Sequence, residues 1–333
     1  NMKIPDFYPH ENKGYIGIET SINHSIRELK EGKIDGIYLP NTRWFQGEES
    51  KGADMDRFAN QLAGLADIYV NDAFGSWQPH ASTVGINKYL PSYAGFLMQK
   101  EIENLERIYS PQSPFIAVVA GSKFDTKIDS LYALIKKADY LVLGGVIYNA
   151  YLNAKYGIEI KGISDDDVAH ANEFVKFSEQ YPGKLIELPF IVESDTLDGK
   201  FKGKNRVHNI HELKPGTKLN YVLDVAKESF YEDKIHKIFS TARTIFVNAV
   251  MGFTPHFNEG TIALDELIDE NVEAVKLYGG GDTMQELKRL LPGLYIVALD
   301  SPMYYIFTGG GAVLKAIQEG TTLGIEPVKA LTK

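Results

Sequence analysis

Short apolar runs rich in β-branched residues alternate with amphipathic stretches along most of the chain. Each run is followed by a polar or glycine-containing turn and then by apolar positions at helical spacing. This alternation is typical of βαβ units and predicts an α/β fold with parallel sheets. The runs that predict strands are 15–18, 36–39, 67–70, 115–120, 140–143, 184–188, 244–247, 274–277 and 295–298.

An amphipathic helix is predicted over 54–66, between two of these strands. Its apolar residues recur at steps of three and four: Met55, Phe58, Ala59, Leu62 and Leu65. Such a stripe covers one face of a helix. We therefore expect this helix to pack its apolar face against a core.

The best domain boundary lies at 99–114. The letters KEIENLERIY predict a charged, solvent-facing helix, and SPQSP breaks it before a new apolar strand. We therefore predict a first domain over 1–98, a hinge helix and linker over 99–114, a second domain over 115–308, and a C-terminal helix and tail over 309–333 that returns toward the first domain. The polar stretch 198–215 is interpreted as a surface excursion of the second domain.

Composition narrows the class of protein. A length of 333 residues fits two domains of about 100–200 residues, and 44% hydrophobic with 24% charged residues argues against disorder. The 35 Lys and Arg against 44 Asp and Glu give a net charge of -9, so no nucleic-acid partner is expected.

The absence of cysteine excludes disulfides, thiolate zinc sites and cysteine nucleophiles. No apolar run approaches the ~20 residues of a membrane span, and the first residues lack a signal-peptide pattern, so we expect a cytoplasmic protein without membrane contact.

Three predicted strands of the second domain run into glycine turns that open helices. A helix start has unpaired N–H groups and the positive end of the helix dipole, which favours an anion site. The first turn contains Gly121, followed by Lys123 and Lys127, whose ammonium groups could face one phosphate chain. The second turn, at 279–281, precedes Asp282, a carboxylate suited to a metal ion carried on phosphates.

A third turn opens the next helix with Thr308, Gly309, Gly310 and Gly311. Each turn alone also fits a plain strand-to-helix connection, because glycine lets the two elements close tightly. If all three meet at the carboxyl ends of one parallel sheet, they form a nucleotide site where open α/β sheets bind ligands. The patterns of an ordinary P-loop and of a dinucleotide-binding turn are absent.

Several longer motifs, in order and spacing, resemble the phosphoglycerate kinase family over nearly the whole chain. The first part carries NTRWFQGEESKG, YVNDAFGSWQPHASTVG and AGFLMQKEIENL. The second part carries AGSKFDTKI, YLVLGGVIYNAYL, FVNAVMGF followed by FNEGT, LYGGGDT and IFTGGGA. The resemblance implies two Rossmann-like domains joined by a hinge helix, one binding 3-phosphoglycerate and the other MgATP or MgADP. It also implies the reversible glycolytic transfer of a phosphoryl group between 1,3-bisphosphoglycerate and ADP, with closure about the hinge.

The same motifs imply roles for individual residues. Lys127 and the glycines 309–311 fall on groups that face the transferring phosphoryl group, and Asp282 falls on the aspartate that meets Mg²⁺. Arg43 falls on an arginine that faces the triose substrate, and His80 on a histidine of the same basic patch. The implied nucleotide-binding residues are Lys123, Lys127, Gly144, Gly145, Asn248, Gly280, Gly281, Asp282, Thr283 and Thr308.

The departures from the family lie mainly on the substrate side. The family's Asp-x-Asn strand and His-x-Gly-Arg loop are missing, and SWQP stands between Gly75 and His80 where another His-Arg pair is usual. We therefore expect weak or absent 3-phosphoglycerate binding, because each lost charge-assisted hydrogen bond costs about 1.5–3 kcal/mol. The first domain is abbreviated, so its sheet must be rearranged, completed by another chain, or partial in this sequence. On the nucleotide side, the family's ribose-binding glutamate falls on Pro255 and a strand-end aspartate on Phe190.

These observations leave two functions open. The ordered motifs favour a divergent phosphoglycerate kinase that uses magnesium. The depleted substrate patch favours a catalytically impaired relative, a nucleotide-binding or regulatory protein that could associate with itself. A weaker third option keeps phosphoryl transfer and changes the acceptor. The plain alternatives for single residues are exposed helix lysines at Lys123 and Lys127, a surface ion pair at Arg43, and a partly buried histidine at His80.

Overall fold

The computed structural model describes residues 2–3 and 18–332. The chain forms two compact units, one made of residues 1–101 with 323–333 and the other of residues 102–322. The predicted α/β class with parallel sheets is confirmed.

The strands of the described residues are β1 (Met2–Lys3), β2 (Gly36–Ile37), β3 (Tyr69–Asn71), β4 (Ser92–Ala94), β5 (Phe115–Gly121), β6 (Tyr140–Gly144), β7 (Glu159–Ile160), β8 (Leu185–Ile186), β9 (Phe190–Ser194), β10 (Asn205–Asn209), β11 (Lys218–Leu219), β12 (Tyr221–Val225), β13 (Thr244–Asn248), β14 (Val275–Gly279) and β15 (Tyr304–Phe307). The α-helices are α1 (Ile18–Lys30), α2 (Ala53–Ala63), α3 (Phe96–Tyr109), α4 (Ile128–Lys137), α5 (Gly145–Tyr156), α6 (Asp165–Ser178), α7 (Asp233–Thr241), α8 (Glu259–Glu270), α9 (Gly281–Leu290), α10 (Pro292–Asp300), α11 (Gly310–Glu319) and α12 (Glu326–Leu331).

A six-stranded parallel sheet forms the centre of the second unit. Its strand order is β15-β14-β13-β5-β6-β8. The chain begins at the centre with β5, adds β6 and β8 on one side, and then returns to add β13, β14 and β15 on the other. The order therefore reverses between β5 and β13, the kind of switch point at which open α/β sheets bind ligands.

The central strands of this sheet are continuous apolar runs. Every residue of β13 and the first six residues of β5 are buried, as expected where a parallel sheet is covered on both faces. The predicted strands 115–120, 140–143, 244–247 and 274–277 are confirmed. The predicted strand 184–188 shortens to β8.

The predicted strand 295–298 is wrong, because these residues lie in α10. Pro292 begins that helix, at a position where its fixed φ and missing N–H are tolerated. The strand that joins the sheet is β15, which begins at Tyr304. Periodicity does not distinguish a short apolar strand from an apolar helix, and the partner strand β14 decided which run is extended.

The remaining strands of the second unit form two smaller sheets. One is antiparallel, in the order β10-β9-β12, and β7 pairs with β11 in parallel. The predicted surface excursion 198–215 therefore contains a strand, β10. Its Arg206 donates two hydrogen bonds of 2.7 and 2.9 Å to the buried carboxylate of Glu193 on β9. A charged pair across the ladder thus stabilises a segment whose polar letters do not predict a strand.

The first unit contains two short parallel pairs, β1 with β2 and β3 with β4. The predicted helix 54–66 is confirmed as α2, and the predicted strands 36–39 and 67–70 correspond to β2 and β3. Ile18 of the predicted strand 15–18 begins α1 instead, and residues 15–17 lie outside the described residues. The apolar core of this unit consists of Ile18, Ile22, Ile26, Phe45, Phe58, Ala59, Leu62, Ala63, Ala81 and Ile86.

Helix α3 covers much of the predicted hinge region 99–114, and the boundary between the two units falls within this helix. Of the predicted C-terminal segment 309–333, α11 belongs to the second unit and α12 to the first. The domain limits and a hinge movement about α3 stay predictions. Among the described residues, no helix is long and apolar enough to cross a bilayer.

Candidate functional site

A cavity of about 710 Å³ lies at the carboxyl ends of the parallel strands of the second unit. The ends of five strands contribute to its wall, through Gly121, Gly145, Asn248, Gly280 and Gly310. It therefore lies at the switch point between β5 and β13. A cavity of this volume can enclose most of a small organic ligand.

Four helices begin at this cavity. Helix α4 begins directly after Lys127, α5 begins at Gly145, α9 at Gly281 and α11 at Gly310, and each of these four residues lines the wall. Unpaired N–H groups and the positive ends of four helix dipoles therefore converge. This arrangement favours a ligand with several negative charges, such as a chain of phosphates.

The second and third glycine turns touch each other through their backbones. A Cβ added at Gly310 would lie 2.4 Å from the Cα of Gly280, and a Cβ added at Gly280 would lie 2.9 Å from the Nδ2 of Asn248. Gly280 also has a φ of +127°, which side chains of L-residues rarely adopt. Glycine at both positions lets two neighbouring strand ends approach each other.

The turn after β6 packs in the same way against the turn after β5. A Cβ added at Gly145, which has a φ of +62°, would lie 2.9 Å from the carbonyl oxygen of Gly121. A Cβ added at Gly144 would lie 2.6 Å from the sulfur of Met251. Gly145 faces the cavity, whereas Gly144 packs against the segment that follows β13.

Lys127 places an ammonium group at the centre of these turns. Its Nζ donates hydrogen bonds to the carbonyl oxygen of Ala120, at 2.7 Å, and to Oδ1 of Asn248. The Nδ2 of Asn248 donates in turn to the carbonyl oxygen of Gly279. Burial lowers the pKa of Lys127 to about 8, and the negative charge of Asp282 partly opposes this shift. The group is therefore mostly protonated at pH 7 and can pair with an anion.

The loop that carries Lys127 is anchored from α6. The N–H of Phe124 donates to Oδ1 of the buried Asp167 at 2.6 Å, and the N–H of Lys127 donates to the carbonyl oxygen of Phe124 at 3.0 Å. The Phe124 ring packs on the ring of Phe174, with 5.9 Å between centroids. Ser164 donates its hydroxyl to Oδ2 of Asp167 at 2.6 Å. These contacts fix the backbone from which the lysine side chain reaches the cavity.

Asp282 is an exposed carboxylate in the first turn of α9 and lines the cavity. Within the described part of the chain, no group of three or more His, Asp or Glu side chains could hold a metal ion by itself. Mg²⁺ commonly takes one or two carboxylates and completes its shell with phosphate and water oxygens. Asp282 therefore fits an ion that arrives on a phosphorylated ligand.

The structure brings most of the predicted nucleotide-side residues to one wall: Lys127, Gly145, Asn248, Gly280, Gly281, Asp282, Thr283, Gly310 and Gly311. Of the predicted residues, four stand outside the described wall of the cavity: Lys123, Gly144, Thr308 and Gly309. Lys123 is exposed in the turn before Lys127. The spacing of four residues therefore does not put both ammonium groups into the cavity.

Asp224 on β12 is a cavity residue that the motifs did not predict. It is 3% exposed, and its carboxylate accepts hydrogen bonds from the N–H groups of Val225, at 2.9 Å, and Gly260, at 3.2 Å. Burial raises the pKa of Asp224 to about 7, although the two hydrogen bonds partly oppose the shift. The sequence feature that could have identified Asp224 is its position as the single ionisable residue within the apolar strand YVLDV.

The predicted substrate residues lie in the first unit, where Arg43 and His80 line a cavity of about 230 Å³. Both face one carboxylate, because Oε1 of Glu49 lies 3.2 Å from Nε of Arg43 and 3.8 Å from Nε2 of His80. A second carboxylate, that of the buried Glu48, is itself part of the cavity wall and accepts a hydrogen bond from the N–H of Ser82 at 3.0 Å, whereas Glu49 contacts the cavity only through Arg43 and His80. The two carboxylates reduce the positive charge that this cavity offers to an anion.

The doubly wound sheet, the four converging helix starts and the partly buried lysine define an α/β protein with a site for a phosphorylated ligand at its switch point. The family model for phosphoglycerate kinase matches residues 14–320. A phosphoglycerate kinase of Desulforudis audaxviator is 34% identical over 310 residues, which cover 91% of this chain and 72% of that protein. A phosphoglycerate kinase of Rhizobium meliloti is 33% identical over 317 residues, which cover 92% of this chain and 74% of that protein.

Solved structures agree with these relatives. The phosphoglycerate kinase of Coxiella burnetii superposes with a TM-score of 0.71 at 29% identity, over 89% of this chain and 72% of that one. The phosphoglycerate kinase of Pyrococcus horikoshii OT3 superposes with a TM-score of 0.76 at 23% identity, over 96% of this chain and 78% of that one. At this identity the similarity bears on the fold alone.

The chain belongs to the phosphoglycerate kinase family. By family and fold it is a phosphoglycerate kinase-like phosphotransferase, which confirms the resemblance seen in its motifs. Members of the family generally use ATP or ADP with Mg²⁺ and bind 3-phosphoglycerate. The chain spans about three quarters of the length of the relatives named above.

Proposed function

We propose that this chain transfers a phosphoryl group reversibly between 1,3-bisphosphoglycerate and ADP, with Mg²⁺ on the nucleotide. The observation that carries the proposal is the convergence of four helix N-termini and the Lys127–Asn248 pair on one cavity. Phosphoryl transfer requires a protein mainly to place positive charge, align the groups and exclude water. A chain without cysteine can meet these requirements, because no covalent nucleophile is needed.

In this proposal the nucleotide phosphates lie against the N-termini of α9 and α11. Lys127 donates to the phosphoryl group in transit, and its two protein acceptors orient the ammonium group before the ligand binds. Such preorganisation stabilises a transition state because the charge does not have to be rearranged during the reaction. Bound Mg²⁺ would supply charge neutralisation on the phosphate oxygens, and Asp282 is the residue that would hold it. The roles of Lys123, Gly144, Thr308 and Gly309 stay predictions from the family resemblance.

The acceptor side of the proposal rests on Arg43 and His80. Both would have to exchange the carboxylate of Glu49 for the anionic groups of 3-phosphoglycerate. Arg43 is more than half exposed, so its pair with Glu49 contributes little to stability and is readily replaced. We expect the affinity for 3-phosphoglycerate to be low, because few cations face this cavity.

A coupled assay of 3-phosphoglycerate-dependent ATP consumption tests the activity. The unchanged chain should turn over, and Lys127→Ala should lower kcat by about 100-fold or more, since a preorganised charge at the transferring group is lost. Lys214→Ala is the matched control, because that lysine is exposed in the same unit and lies outside the described cavity wall. Equal losses in the two variants would contradict the assigned role of Lys127.

The second candidate is a family member that binds nucleotide without catalysis. The pairing of Arg43 and His80 with one carboxylate favours it. Calorimetry separates the two functions: MgADP binding without detectable 3-phosphoglycerate binding or turnover would support the second candidate. Millimolar or tighter binding of 3-phosphoglycerate, together with turnover, would support the kinase.

The proposal includes a cytoplasmic location and no nucleic-acid partner. The acidic net charge of -9 supports the second point, because nucleic-acid binders usually carry a basic surface.

A further inference from the structure

Glu286 is a carboxylate on the wall of the cavity at the strand ends that phosphoryl transfer itself does not require. It lies in α9 and is 8% exposed. A carboxylate repels phosphate, so its place in a cavity formed by positive helix ends calls for another reason. Polar side chains on the wall of a ligand cavity commonly fix the orientation of the ligand. We therefore ask which part of a phosphorylated ligand Glu286 could contact.

Helix α9 places Glu286 on the same face as Asp282. Residues four apart share a face of a helix and are separated by about 6 Å along its axis. Side chains of a helix also lean toward its N-terminus, so the side chain of Glu286 extends back toward the start of α9 at Gly281. When phosphates lie against that start, Glu286 lies about one turn away from them.

Arg289 orients the carboxylate of Glu286 and leaves acceptor positions open. The Nε of Arg289 donates to both Oε1 and Oε2 at 3.1 Å, and its Nη2 donates to Oε2 at 2.5 Å. These contacts use two N–H groups, whereas an ionised carboxylate has about four acceptor positions. Arg289 is exposed and is not part of the described cavity wall. The carboxylate can therefore accept further hydrogen bonds from a ligand in the cavity.

The other two carboxylates of the described cavity wall have different roles. The two oxygens of Asp224 accept hydrogen bonds from the backbone N–H groups of Val225 and Gly260. Asp282 lies at the helix start, where it fits a metal ion carried on phosphates. Glu286 is thus the carboxylate of this wall that is left to accept hydrogen bonds from an uncharged part of the ligand.

We propose that Glu286 binds the ribose of the nucleotide by accepting hydrogen bonds from its 2′ and 3′ hydroxyl groups. Ribose is joined directly to the innermost phosphate, so its hydroxyl groups lie a few bonds from the phosphate chain, and the two oxygens of one carboxylate match two neighbouring hydroxyl groups. This inference rests on the proposed function, because it takes the ligand to be ATP or ADP. It differs from the family's ribose contact, which falls on Pro255, a residue whose side chain has no acceptor.

Calorimetric titration with MgADP and with the magnesium complex of 2′,3′-dideoxyADP tests the contact. The unchanged chain should bind MgADP about tenfold or more tightly, because the dideoxy nucleotide lacks the charge-assisted hydrogen bonds. Glu286→Ala should bind both nucleotides with nearly equal affinity. Glu286→Gln should retain part of the difference, since its amide oxygen still accepts. Glu266→Ala is the matched control, an exposed glutamate of the same unit outside the described cavity wall, and should keep the full difference.

The possible failures of this experiment are distinguishable. An unchanged chain that binds neither nucleotide would contradict the proposed function and the ribose contact together. An unchanged chain that binds both with equal affinity would contradict the ribose contact alone. A loss of affinity in Glu286→Ala that is the same for both nucleotides would assign the carboxylate to the metal ion or to the stability of α9, and would also overturn the proposal. Circular dichroism verifies that each variant is folded.

Discussion

At the scale of single residues, the glycine motifs combine positions that require glycine with positions that do not. Gly310 and Gly280 are in direct backbone contact, so an added Cβ has no space at Gly310. Gly281, one residue after Gly280, has nothing within 4 Å of an added Cβ and lies in the first turn of α9. The letters GGG alone do not distinguish these two kinds of position.

We predict that Gly310→Ala lowers the free energy of unfolding by about 1–3 kcal/mol, because the methyl group overlaps with the backbone of Gly280. Gly281→Ala should leave the stability unchanged or raise it by up to about 1 kcal/mol, since alanine is favoured over glycine in a helix. Denaturant unfolding of both variants measures the difference. A similar loss in both would show that the close approach of the two turns does not limit stability.

At the scale of elements, α6 controls the loop between β5 and α4 from a distance of about forty residues in sequence. A hydrogen bond from the N–H of Phe124 to Asp167 joins the two elements, together with the packing of Phe124 on Phe174, and the segment that these contacts hold carries Lys127. An acceptor on another helix, rather than the glycine motif, therefore positions the cation. The affinity for an anionic ligand should depend on this contact.

We predict that Asp167→Ala weakens MgADP binding more than Ser164→Ala does. The first variant leaves the buried N–H of Phe124 without its acceptor, at a cost of about 1–3 kcal/mol. The second removes the side-chain cap of α6, worth about 1 kcal/mol, and retains the Asp167 carboxylate. Calorimetric titration, with unfolding measured in parallel, separates binding from stability. Equal losses of affinity would show that capping alone accounts for the effect.

At the scale of the whole molecule, the buried carboxyl of Asp224 couples unfolding to pH. Its pKa is about 7 in the folded chain and about 3.9 when unfolded, so the folded chain binds more protons between these values. The contribution of this group to the free energy of unfolding therefore falls as the pH rises from about 4 to 7, and its full cost is present above pH 7.

We predict that Asp224→Asn, which imitates the protonated carboxyl, gains stability relative to the unchanged chain as the pH rises from 5 to 8. The gain should be on the order of 1–4 kcal/mol. Urea unfolding at the two pH values measures it, with Asp125→Asn at an exposed position as the control. A difference between Asp224→Asn and the unchanged chain that is equal at both values would contradict the coupling.

Local sequence patterns were enough to predict the central strands, the fold and family, and the glycine turns at which backbones approach each other. The apolar runs at 115–120 and 244–247 predicted strands correctly, because residues buried on both faces of a parallel sheet must be apolar at every position. The family motifs predicted the fold and family, which the comparisons confirm. Strand-to-helix glycine turns likewise indicated where backbones approach, since only glycine tolerates such closeness.

Other features depended on contacts between residues that are far apart in the chain. Strand pairing decided that 304–307 and not 295–298 joins the sheet, because either apolar run could be extended. The carboxylate of Asp224 reaches the cavity, and that of Glu49 lies 3.8 Å from Nε2 of His80, only because the fold brings distant residues together, which the spacing of residues in the sequence does not indicate. Periodicity describes one element at a time, whereas a site is created only when elements pack together.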